Sequence, residues 1–207
     1  EENRFYYITT MNENYAHPEM PLGAEEGILK GLYQLSQSKS KAKKRVQLMG
    51  SGAILQEVRA AADLLLDDWG VAADVWSMTS SNELRRDGMA CERWNMLNPS
   101  EKPRVPYLTQ ALQKSGGPFI AATDYMKVYA DQLRPYIPGT YKVLGTDGFG
   151  RSDTRAKLRY FFEVNRYFVT VAALTALAEE GAVKAEVVGE ALVKYGISGD
   201  KPDPVTI

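Results

Sequence analysis

The sequence predicts an α/β fold, in which a mainly parallel sheet is covered by helices on both faces. Short runs with strand character alternate with longer stretches whose apolar residues recur every three to four positions. The predicted strands are mostly apolar along their whole length, which is typical of strands buried on both faces. With 207 residues, of which 44% are hydrophobic, the chain can bury a substantial core, and disorder of the whole chain is excluded.

The amino-terminal segment predicts one strand, one loop, one short helix and a linker. Phe5–Thr10 is aromatic and β-branched and predicts a buried strand, whereas the polar stretch Asn12–Pro18 predicts a loop. Gly23–Leu35 predicts a short helix, because four of its apolar residues share one side: Ile28, Leu29, Leu32 and Leu35. Ser36–Arg45 carries five basic residues and no large apolar one, so it predicts a solvated basic linker. Nucleic-acid binding is the alternative, and the lack of interleaved aromatic residues disfavours it.

From Val46 onward, strands and helices alternate. The predicted strands are Val46–Gly50, Ala73–Met78, Phe119–Ala122 and Tyr141–Gly145. The predicted helices are Ala53–Trp69, one beginning at Ser81 or Asn82, Pro103–Gln113, Tyr125–Tyr136, Thr154–Phe162, Arg166–Glu180 and Lys184–Tyr195. Gly70 is expected to end the first of these helices, and Asp124 to cap the helix that follows it. Arg166–Glu180 is apolar nearly all round, which predicts burial on more than one side, within the domain or against a partner.

Charge and cysteine content exclude several classes of protein. The 25 basic and 26 acidic residues give a net charge of −1, so no overall attraction to nucleic acid or anionic membrane is expected. The single cysteine excludes an intrachain disulfide, and a reducing, cytoplasmic location is expected. No apolar run has the length of a membrane span, and no signal peptide opens the chain. Because the chain begins without methionine, we expect a processed protein or a fragment of a longer one.

Two glycine-rich turns are candidate binding loops. Gly50-Ser51-Gly52 joins a predicted strand to a helix, where a diphosphate could bind, but Leu55 stands where a dinucleotide fingerprint needs glycine. A tight structural turn is the preferred interpretation. Gly145–Asp153 follows the fourth of these strands and lacks the ending of a phosphate-binding P-loop, so a structural turn with Ser152 or Asp153 as helix cap is favoured. Arg151 and Asp147, at the carboxyl end of a strand, are second candidates for ligand or interface contacts.

Catalytic and metal-binding residues are scarce. His17 is the only histidine, and a lone loop histidine is more often inert than catalytic. Cys91 is expected to be buried and unreactive. One cysteine and one histidine cannot complete a tetrahedral zinc site, so no metal ligand is predicted. From the residues alone, the sequence therefore predicts an α/β domain without a self-contained active site.

Several stretches resemble the homodimeric bacterial pyruvate dehydrogenases, which are the decarboxylating first components of the pyruvate dehydrogenase complex. The matching stretches are Tyr7–Tyr15, Val46–Gly52, Cys91–Leu97, Thr123–Lys127 and Val143–Asp153. The resemblance implies the carboxyl-terminal part of a much longer enzyme of transketolase-like architecture. It implies a three-layer αβα domain with about five strands for residues 46–207, the end of a preceding domain for residues 1–35, and a boundary at the linker 36–45.

The resemblance also implies a function. The parent enzyme would decarboxylate pyruvate with thiamin diphosphate and magnesium and transfer the acetyl unit to a lipoyl-bearing acetyltransferase component. The family's diphosphate motif begins Gly-Asp-Gly, whereas Gly199-Asp200 is followed here by Lys201, so no cofactor is expected in this part of the enzyme.

Two further expectations concern a single residue and the assembly. The resemblance implies a loop histidine directly after the tyrosine. Here Ala16 holds that place and His17 follows, so a catalytic role for His17 stands beside the inert alternative. We expect an isolated chain without activity that associates with a second copy through residues 160–162 and 166–180. The alternative function is a purely structural, dimer-forming domain of a transketolase-type enzyme that acts on another substrate, such as sugar phosphates.

Overall fold

A five-stranded, mostly parallel sheet organises the chain, as the sequence predicts. The computed structural model describes residues 3, 5–8, 10 and 14–207. The strands are β1 (Leu32–Ser36), β2 (Arg45–Gly50), β3 (Ala72–Met78), β4 (Phe119–Ala122) and β5 (Tyr141–Leu144). Their order across the sheet is β1-β3-β2-β4-β5, and β1 alone among the described strands runs antiparallel, pairing with β3.

Helices cover both faces of the sheet and complete the three-layer αβα fold. The helices are α1 (Glu25–Lys30), α2 (Ile54–Trp69), α3 (Ser81–Leu97), α4 (Tyr107–Leu112), α5 (Val128–Asp131), α6 (Arg155–Phe161), α7 (Arg166–Glu179) and α8 (Ala185–Lys194). One apolar core lies between the sheet and the helices α2, α7 and α8, and the other between the sheet and the helices α3, α4 and α5. β2 contributes to both cores, because Leu48 faces the first and Met49 the second.

The amino-terminal strand prediction is wrong for the residues that can be judged. Phe5, Tyr6, Tyr7 and Ile8 have no regular secondary structure and are 76 to 94% exposed, whereas Thr9 lies outside the described residues. Strand propensity is realised only where a neighbouring strand accepts the backbone hydrogen bonds, and none of the described strands reaches this segment.

The predicted helix over residues 23–35 is half right. α1 ends at Gly31, whose φ of +102° breaks the helix, and the chain continues as β1 with Leu32 fully buried. β1 therefore belongs to the same sheet as residues 46–144, which corrects the assignment of residues 32–35 to a preceding domain. The boundary proposed for the earlier residues remains a prediction.

The basic segment 36–45 joins two strands of one sheet rather than two separate units. Residues 37–44 have no regular strand or helix, and Lys39, Lys41, Lys43 and Lys44 are exposed. Asp74 fixes the segment to the sheet, since it accepts hydrogen bonds from the Ser38 N–H at 2.9 Å and from the Arg45 guanidinium. The solvated linker is thus anchored at its base.

The predicted helix over residues 125–136 is divided. Its described parts are α5 and a single 3₁₀ turn at Arg134–Tyr136. Pro135 has no N–H to continue the α-helical pattern, and Asp147 accepts a hydrogen bond from the Lys127 N–H at 2.8 Å. Asp147, rather than Asp124, therefore braces the start of α5.

The apolar helix α7 packs into this domain along one broad face. It contacts α2, α8 and the strands β4 and β5. The residues buried on this face are Val169, Thr170, Ala173, Leu174, Ala176 and Leu177. The other side of the helix is less covered, since Tyr167 is 39% exposed and Phe168 and Thr175 are only half-buried. Association with a second copy through residues 160–162 and 166–180 therefore remains a prediction. Residues 155–179 are long and apolar enough in composition for a membrane span, but they form the two helices α6 and α7, separated at Glu163 with φ of +61°.

Candidate functional site

The order of the strands opens a crevice at the carboxyl ends of β2 and β4. From β2 the chain moves to β3 on one side, while β4 lies on the other side, so the loops that follow these two strands diverge. Ligands of open α/β sheets bind at such points. The buried Ser51 and Thr123 side chains join the two loops, since the Ser51 hydroxyl lies 2.8 Å from Thr123 Oγ1.

The turn Gly50-Ser51-Gly52 is structural, as the sequence predicts. A Cβ at Gly50 would lie 2.8 Å from Leu55 Cα, and Gly52 has a φ of +54°, which disfavours other residues. Asp124 lies over this turn, with Oδ1 3.2 Å from the place that a Cβ of Gly52 would occupy. The turn therefore brings the first residues of α2 close to the carboxylate of Asp124.

The loop Gly145–Asp153 closes the crevice from the β5 side. Thr146 Oγ1 donates a hydrogen bond to the Asp124 carbonyl at 2.6 Å, which ties this loop to the one after β4. Gly148 has a φ of +104°, and its Cβ would lie 2.5 Å from the Pro204 carbonyl oxygen. Asp153 Oδ1 accepts from the Thr154 N–H at 2.7 Å beside the first turn of α6. The predicted turn is confirmed, with glycine required at Gly148. The predicted cap is wrong, because Thr154 rather than Ser152 or Asp153 is the N-cap residue of α6, and its side chain accepts no cap hydrogen bond there.

A pocket of about 400 Å³ lies inside this crevice, and we call it the crevice pocket. One part of its lining is apolar: Ala53, Ile54, Leu158, Phe162 and Val164. The charged part consists of three arginines and one acid: Arg151, Arg155, Arg159 and Asp124. Arg151, a second candidate in the sequence, thus lines the pocket, whereas Asp147 is used to brace α5.

A buried carboxylate stands behind the crevice pocket. Glu57 on α2 is 5% exposed and binds two arginines: Arg159 Nη1 at 3.1 Å, and Arg166 through Nε at 2.9 Å and Nη2 at 3.1 Å. The Arg166 N–H also donates to it at 2.9 Å. Burial alone would raise the pKa of Glu57, but the hydrogen bonds from Arg166 and the charges of both arginines outweigh it and hold the pKa below its ordinary value of 4.5.

The pKa of Asp124 is shifted in the opposite direction from that of Glu57. Its side chain reaches solvent, but the protein atoms around the carboxylate remove part of its hydration. This desolvation raises the pKa of Asp124 above its ordinary value of 3.8, although a hydrogen bond to its own backbone and the charge of Arg159 act against it. A carboxylate whose charged form is disfavoured by desolvation is therefore placed at the edge of the pocket.

The segment that carries His17 touches the same cluster through Tyr15. The Arg159 guanidinium donates from Nη2 to the Tyr15 hydroxyl at 3.0 Å, and Tyr15 is half-buried. His17 itself is exposed, in a stretch without regular secondary structure. Residues 14–18 agree with the predicted loop, whereas Asn12 and Glu13 of that loop lie outside the described residues. The structure thus attaches the loop by Tyr15 and leaves the predicted role of His17 a prediction.

Sequence reasoning missed Glu57, although one signal was available. Glu57 lies between Ile54 and Val58 on the apolar side of α2, in the i, i+3, i+4 pattern of a buried face. A charged residue on such a face indicates a buried ion pair. Its partner Arg159 is 102 residues away, so the pair itself could be recognised only in three dimensions.

The remaining predicted residues have structural roles. Cys91 is buried, as expected, and burial raises the pKa of its thiol. Lys201, next to Gly199-Asp200, is bound to the Phe161 carbonyl and to Glu163 Oε1, both at 2.9 Å. This place therefore does not fit the diphosphate and metal of the Gly-Asp-Gly motif. Within residues 3, 5–8, 10 and 14–207, no group of three or more His, Cys, Asp or Glu could hold a metal ion.

Comparisons with known proteins agree with this architecture. A sequence profile described as "Transketolase-like TK C-terminal domain" matches residues 31–165. The chain is 58% identical over 206 residues to the pyruvate dehydrogenase E1 component of Pseudomonas aeruginosa and 55% identical over 205 residues to that of Escherichia coli K12. Each match covers 99% of this chain and 23% of the relative, so the chain spans about a quarter of the length of these relatives.

Solved transketolase structures share the fold. A transketolase mutant from Pichia stipitis superposes with a TM-score of 0.52 at 17% identity, over 80% of this chain and 20% of that one. A split-gene transketolase described as an inactive beta4 tetramer gives a TM-score of 0.50, also at 17% identity, over 72% of this chain and 43% of that one.

Proposed function

Because the chain belongs to the family of transketolase-like carboxyl-terminal domains, we propose that it is part of a thiamin diphosphate-dependent pyruvate dehydrogenase. The parent enzyme would decarboxylate pyruvate and pass the acetyl group to the lipoyl groups of an acetyltransferase component. The observation that carries this proposal is the 53 to 58% identity to pyruvate dehydrogenase E1 components over 99 to 100% of the chain. The alternative, a transketolase-type enzyme with another substrate, rests on 17% identity, which supports the fold alone.

Within that enzyme, the domain is proposed to be mainly structural. Its titratable cluster, Glu57 with Arg159 and Arg166, is committed to internal hydrogen bonds. The described residues do not fit the diphosphate-and-metal motif, so thiamin diphosphate and magnesium would be held by other parts of the parent. The cofactor would supply the carbanion chemistry there. A homodimeric, cytoplasmic enzyme remains part of the proposal, and the single buried thiol Cys91 is compatible with a reducing compartment.

His17 is the residue of this chain for which we propose a chemical role. An imidazole can donate and accept protons near neutral pH, and a lipoyl thiolate that enters or leaves a site requires such a group. The attachment of Tyr15 to Arg159 at 3.0 Å limits where the exposed His17, two residues later, can move. The domain would thus support chemistry at a site that it does not itself contain.

The test is the variant His17→Ala in the full natural enzyme, followed by two assays. Reductive acetylation of the lipoyl group should slow by about 10²-fold, the lower end of general acid–base catalysis. Pyruvate decarboxylation measured with an artificial electron acceptor should change less, because it bypasses the lipoyl step. An effect of less than about twofold in both assays, under about 0.5 kcal/mol, would leave His17 as an inert loop residue.

A separate measurement tests the proposed division of labour. The isolated 207-residue chain should release no heat when it is titrated with thiamin diphosphate and magnesium, and it should not decarboxylate pyruvate. Binding tighter than about 10 μM, near 7 kcal/mol, would contradict a purely supporting domain. A wild-type parent enzyme without pyruvate decarboxylation would contradict the proposed function as a whole.

A further inference from the structure

We propose that the basic segment 36–45 is a docking surface for an extended acidic segment of another protein, with carboxylates at every second residue. Five residues of the basic segment are basic and none is acidic. The segment contributes +5 to a chain whose net charge is −1, so the remaining residues together carry −6. Positive charge is thus concentrated in one short loop of an otherwise acidic chain. This inference does not depend on pyruvate chemistry.

Four of the five basic side chains are not neutralised within the domain. Arg45 forms an ion pair with Asp74, whose side chain is 5% exposed. Within residues 3, 5–8, 10 and 14–207, every ion pair of a lysine uses a lysine outside this segment. The lysines of the segment are exposed, and their charges are open to a partner: Lys39, Lys41, Lys43 and Lys44.

The serines and Arg45 give the segment a fixed shape. Ser38 Oγ accepts a hydrogen bond from the Ser40 N–H at 3.3 Å, and Ser40 Oγ accepts one from the Ala42 N–H at 3.1 Å. At the base, Asp74 accepts from the Ser38 N–H at 2.9 Å, and the Arg45 guanidinium donates to the carbonyls of Ser38 and Ser40. A loop that is held in this way loses less conformational freedom on binding than a flexible loop does.

Small residues and lysines alternate along the segment, and their exposure alternates in the same way. Ser38, Ser40 and Ala42 are half-buried, whereas the lysine that follows each of them is exposed. The Cα atoms of lysines two residues apart are separated by at most about 7 Å. An extended peptide presents every second side chain on one side, at intervals of about 6.5 Å. Acidic residues at alternate positions of such a peptide would therefore match the lysines one to one.

The rest of the chain favours a peptide over a larger polyanion. Proteins that bind single-stranded nucleic acid stack its bases on aromatic side chains, and the basic segment has none. A nucleic acid duplex or an anionic membrane would also face the net charge of −6 on the remaining residues, which repels it. A short acidic segment needs to approach the lysines alone.

The test is fluorescence anisotropy of a labelled peptide in which glutamate and threonine alternate, titrated with the full natural enzyme at low ionic strength. A peptide of the same composition with its glutamates in one block is the matched probe, because it has the same charge without the spacing. The alternating peptide should bind at least about threefold more tightly than the block peptide. Its binding should weaken at physiological ionic strength, where exposed charges are screened. Equal affinity of the two peptides, or no rise in anisotropy with the alternating peptide, would overturn the proposal.

Competition distinguishes the protein partner from other polyanions. An oligothymidylate of equal charge, and vesicles that contain phosphatidylglycerol, should displace the labelled peptide less well than the unlabelled alternating peptide does. Better displacement by either one would assign the surface to nucleic acid or to a membrane and would overturn the proposal.

Two double variants locate the binding. Lys39→Gln combined with Lys41→Gln should weaken the binding of the alternating peptide by about tenfold, since each exposed ion pair contributes about threefold. Lys102→Gln combined with Lys184→Gln is the matched control, because both are exposed lysines outside the segment, and the affinity should change by less than about twofold. Equal effects of the two double variants would show a response to overall charge alone and would overturn the proposal.

Ser38→Ala combined with Ser40→Ala tests the fixed shape, because it removes two hydrogen-bond acceptors and no charge. The preference for the alternating peptide should fall from about threefold to nearly none. A preference that stays at the wild-type value would contradict the role of the fixed shape. Circular dichroism melting confirms that each variant is folded. Pyruvate decarboxylation by the wild-type enzyme is measured separately, so a failure of this proposal is distinguishable from a failure of the proposed function.

Discussion

Arg159 donates a hydrogen bond to the Tyr15 hydroxyl at 3.0 Å across a sequence separation of 144 residues. The same guanidinium binds the buried Glu57 at 3.1 Å. The guanidinium is therefore fixed from behind by α2, and this fixed group holds the amino-terminal segment at Tyr15. Tyr15 is half-buried, whereas the other residues from 14 to 20 are exposed.

We predict that Tyr15→Phe loosens the His17 segment without unfolding the domain. The variant loses one charge-assisted hydrogen bond in a half-buried place, worth about 1 kcal/mol. Hydrogen exchange of the peptide that contains residues 14–20 should accelerate by about fivefold, while peptides from β2 and β4 exchange as before. Unchanged exchange in residues 14–20 would show that the segment is held elsewhere.

Glu57→Gln should be strongly destabilising, because it leaves two arginines around a neutral group that is nearly inaccessible to water. Removing one partner of a buried ion pair costs about 3 kcal/mol. Urea denaturation of wild type and variant should show this loss in the free energy of unfolding. Glu83→Gln is the matched control, since Glu83 pairs with Arg86 on the exposed side of α3, where a loss below about 0.5 kcal/mol is expected. Equal effects of the two substitutions would contradict the role of burial.

The same pair predicts a pH dependence. The pKa of Glu57 is lower in the folded protein than its ordinary value of 4.5, so the folded state favours the charged form. Its contribution to stability is complete above pH 4.5 and is lost as the pH falls through the folded pKa. The difference in unfolding free energy between wild type and Glu57→Gln should therefore shrink below this pH. A difference that is constant from pH 7 to pH 3 would exclude the linkage.

Two helical glycines should respond to alanine with opposite signs. At Gly88 in α3 a Cβ would lie 2.3 Å from the Tyr136 ring, so the clash outweighs the better helix propensity, and we expect a loss of about 1 to 3 kcal/mol. At Gly189 in α8 nothing lies within 4 Å of the added atom, and Gly189→Ala should stabilise by about 0.5 to 1 kcal/mol. Thermal melts of both variants test the pair. A change of Tm in the same direction for both variants would contradict this prediction.

Tyr195→Phe should weaken the attachment of α8 to α2. The Tyr195 hydroxyl accepts a hydrogen bond from Trp69 Nε1 at 2.8 Å and donates to Asp68 Oδ2 at 2.9 Å. Its removal leaves the indole N–H without this acceptor, which should cost about 1 kcal/mol and lower Tm by about 2 to 4 °C. Val193→Ala, at an 83% exposed position of α8, should leave Tm nearly unchanged.

The hydroxyl of Tyr195 also predicts a loss of folding stability at alkaline pH. Burial, together with the neighbouring Asp68, raises the pKa of Tyr195 to about 12 from its ordinary value of 10.0. The stabilisation is therefore complete below pH 10 and is lost as the pH rises toward 12. Wild type and Tyr195→Phe should approach the same stability over this interval.

The strands and helices after Val46 could be predicted because each is specified by its own residues. Continuous apolar strands and regularly spaced apolar helix faces survive any tertiary context that buries them. β1 could not be predicted in this way, because Ile28, Leu29, Leu32 and Leu35 have the spacing of a helix, and only the break at Gly31 separates them. Phe5–Ile8 has the composition of a strand but no partner strand within the described residues.

The site was less predictable than the fold. Arg151 was found from its position after a strand, since the ends of parallel strands gather at one edge of a sheet. The contact between Glu57 and Arg159 depends instead on how α6 is placed against α2 after the sheet has formed. Pairs of this kind leave at most one local signal, here the charge on the apolar side of α2.

The antiparallel pairing of β1 with β3 determines where this domain can be cut. β3 is buried at all seven of its positions, and β1 occupies its outer edge. A fragment that started at the basic segment, after residue 36, would expose the backbone N–H and C=O groups of that apolar strand along its length. Such an edge is a template for intermolecular strand pairing and fibril growth. The smallest fragment that stays dispersed in solution should therefore begin before α1. The segment between β1 and β2, which carries the lysines, is an internal loop of the domain and not a suitable place to cut the chain.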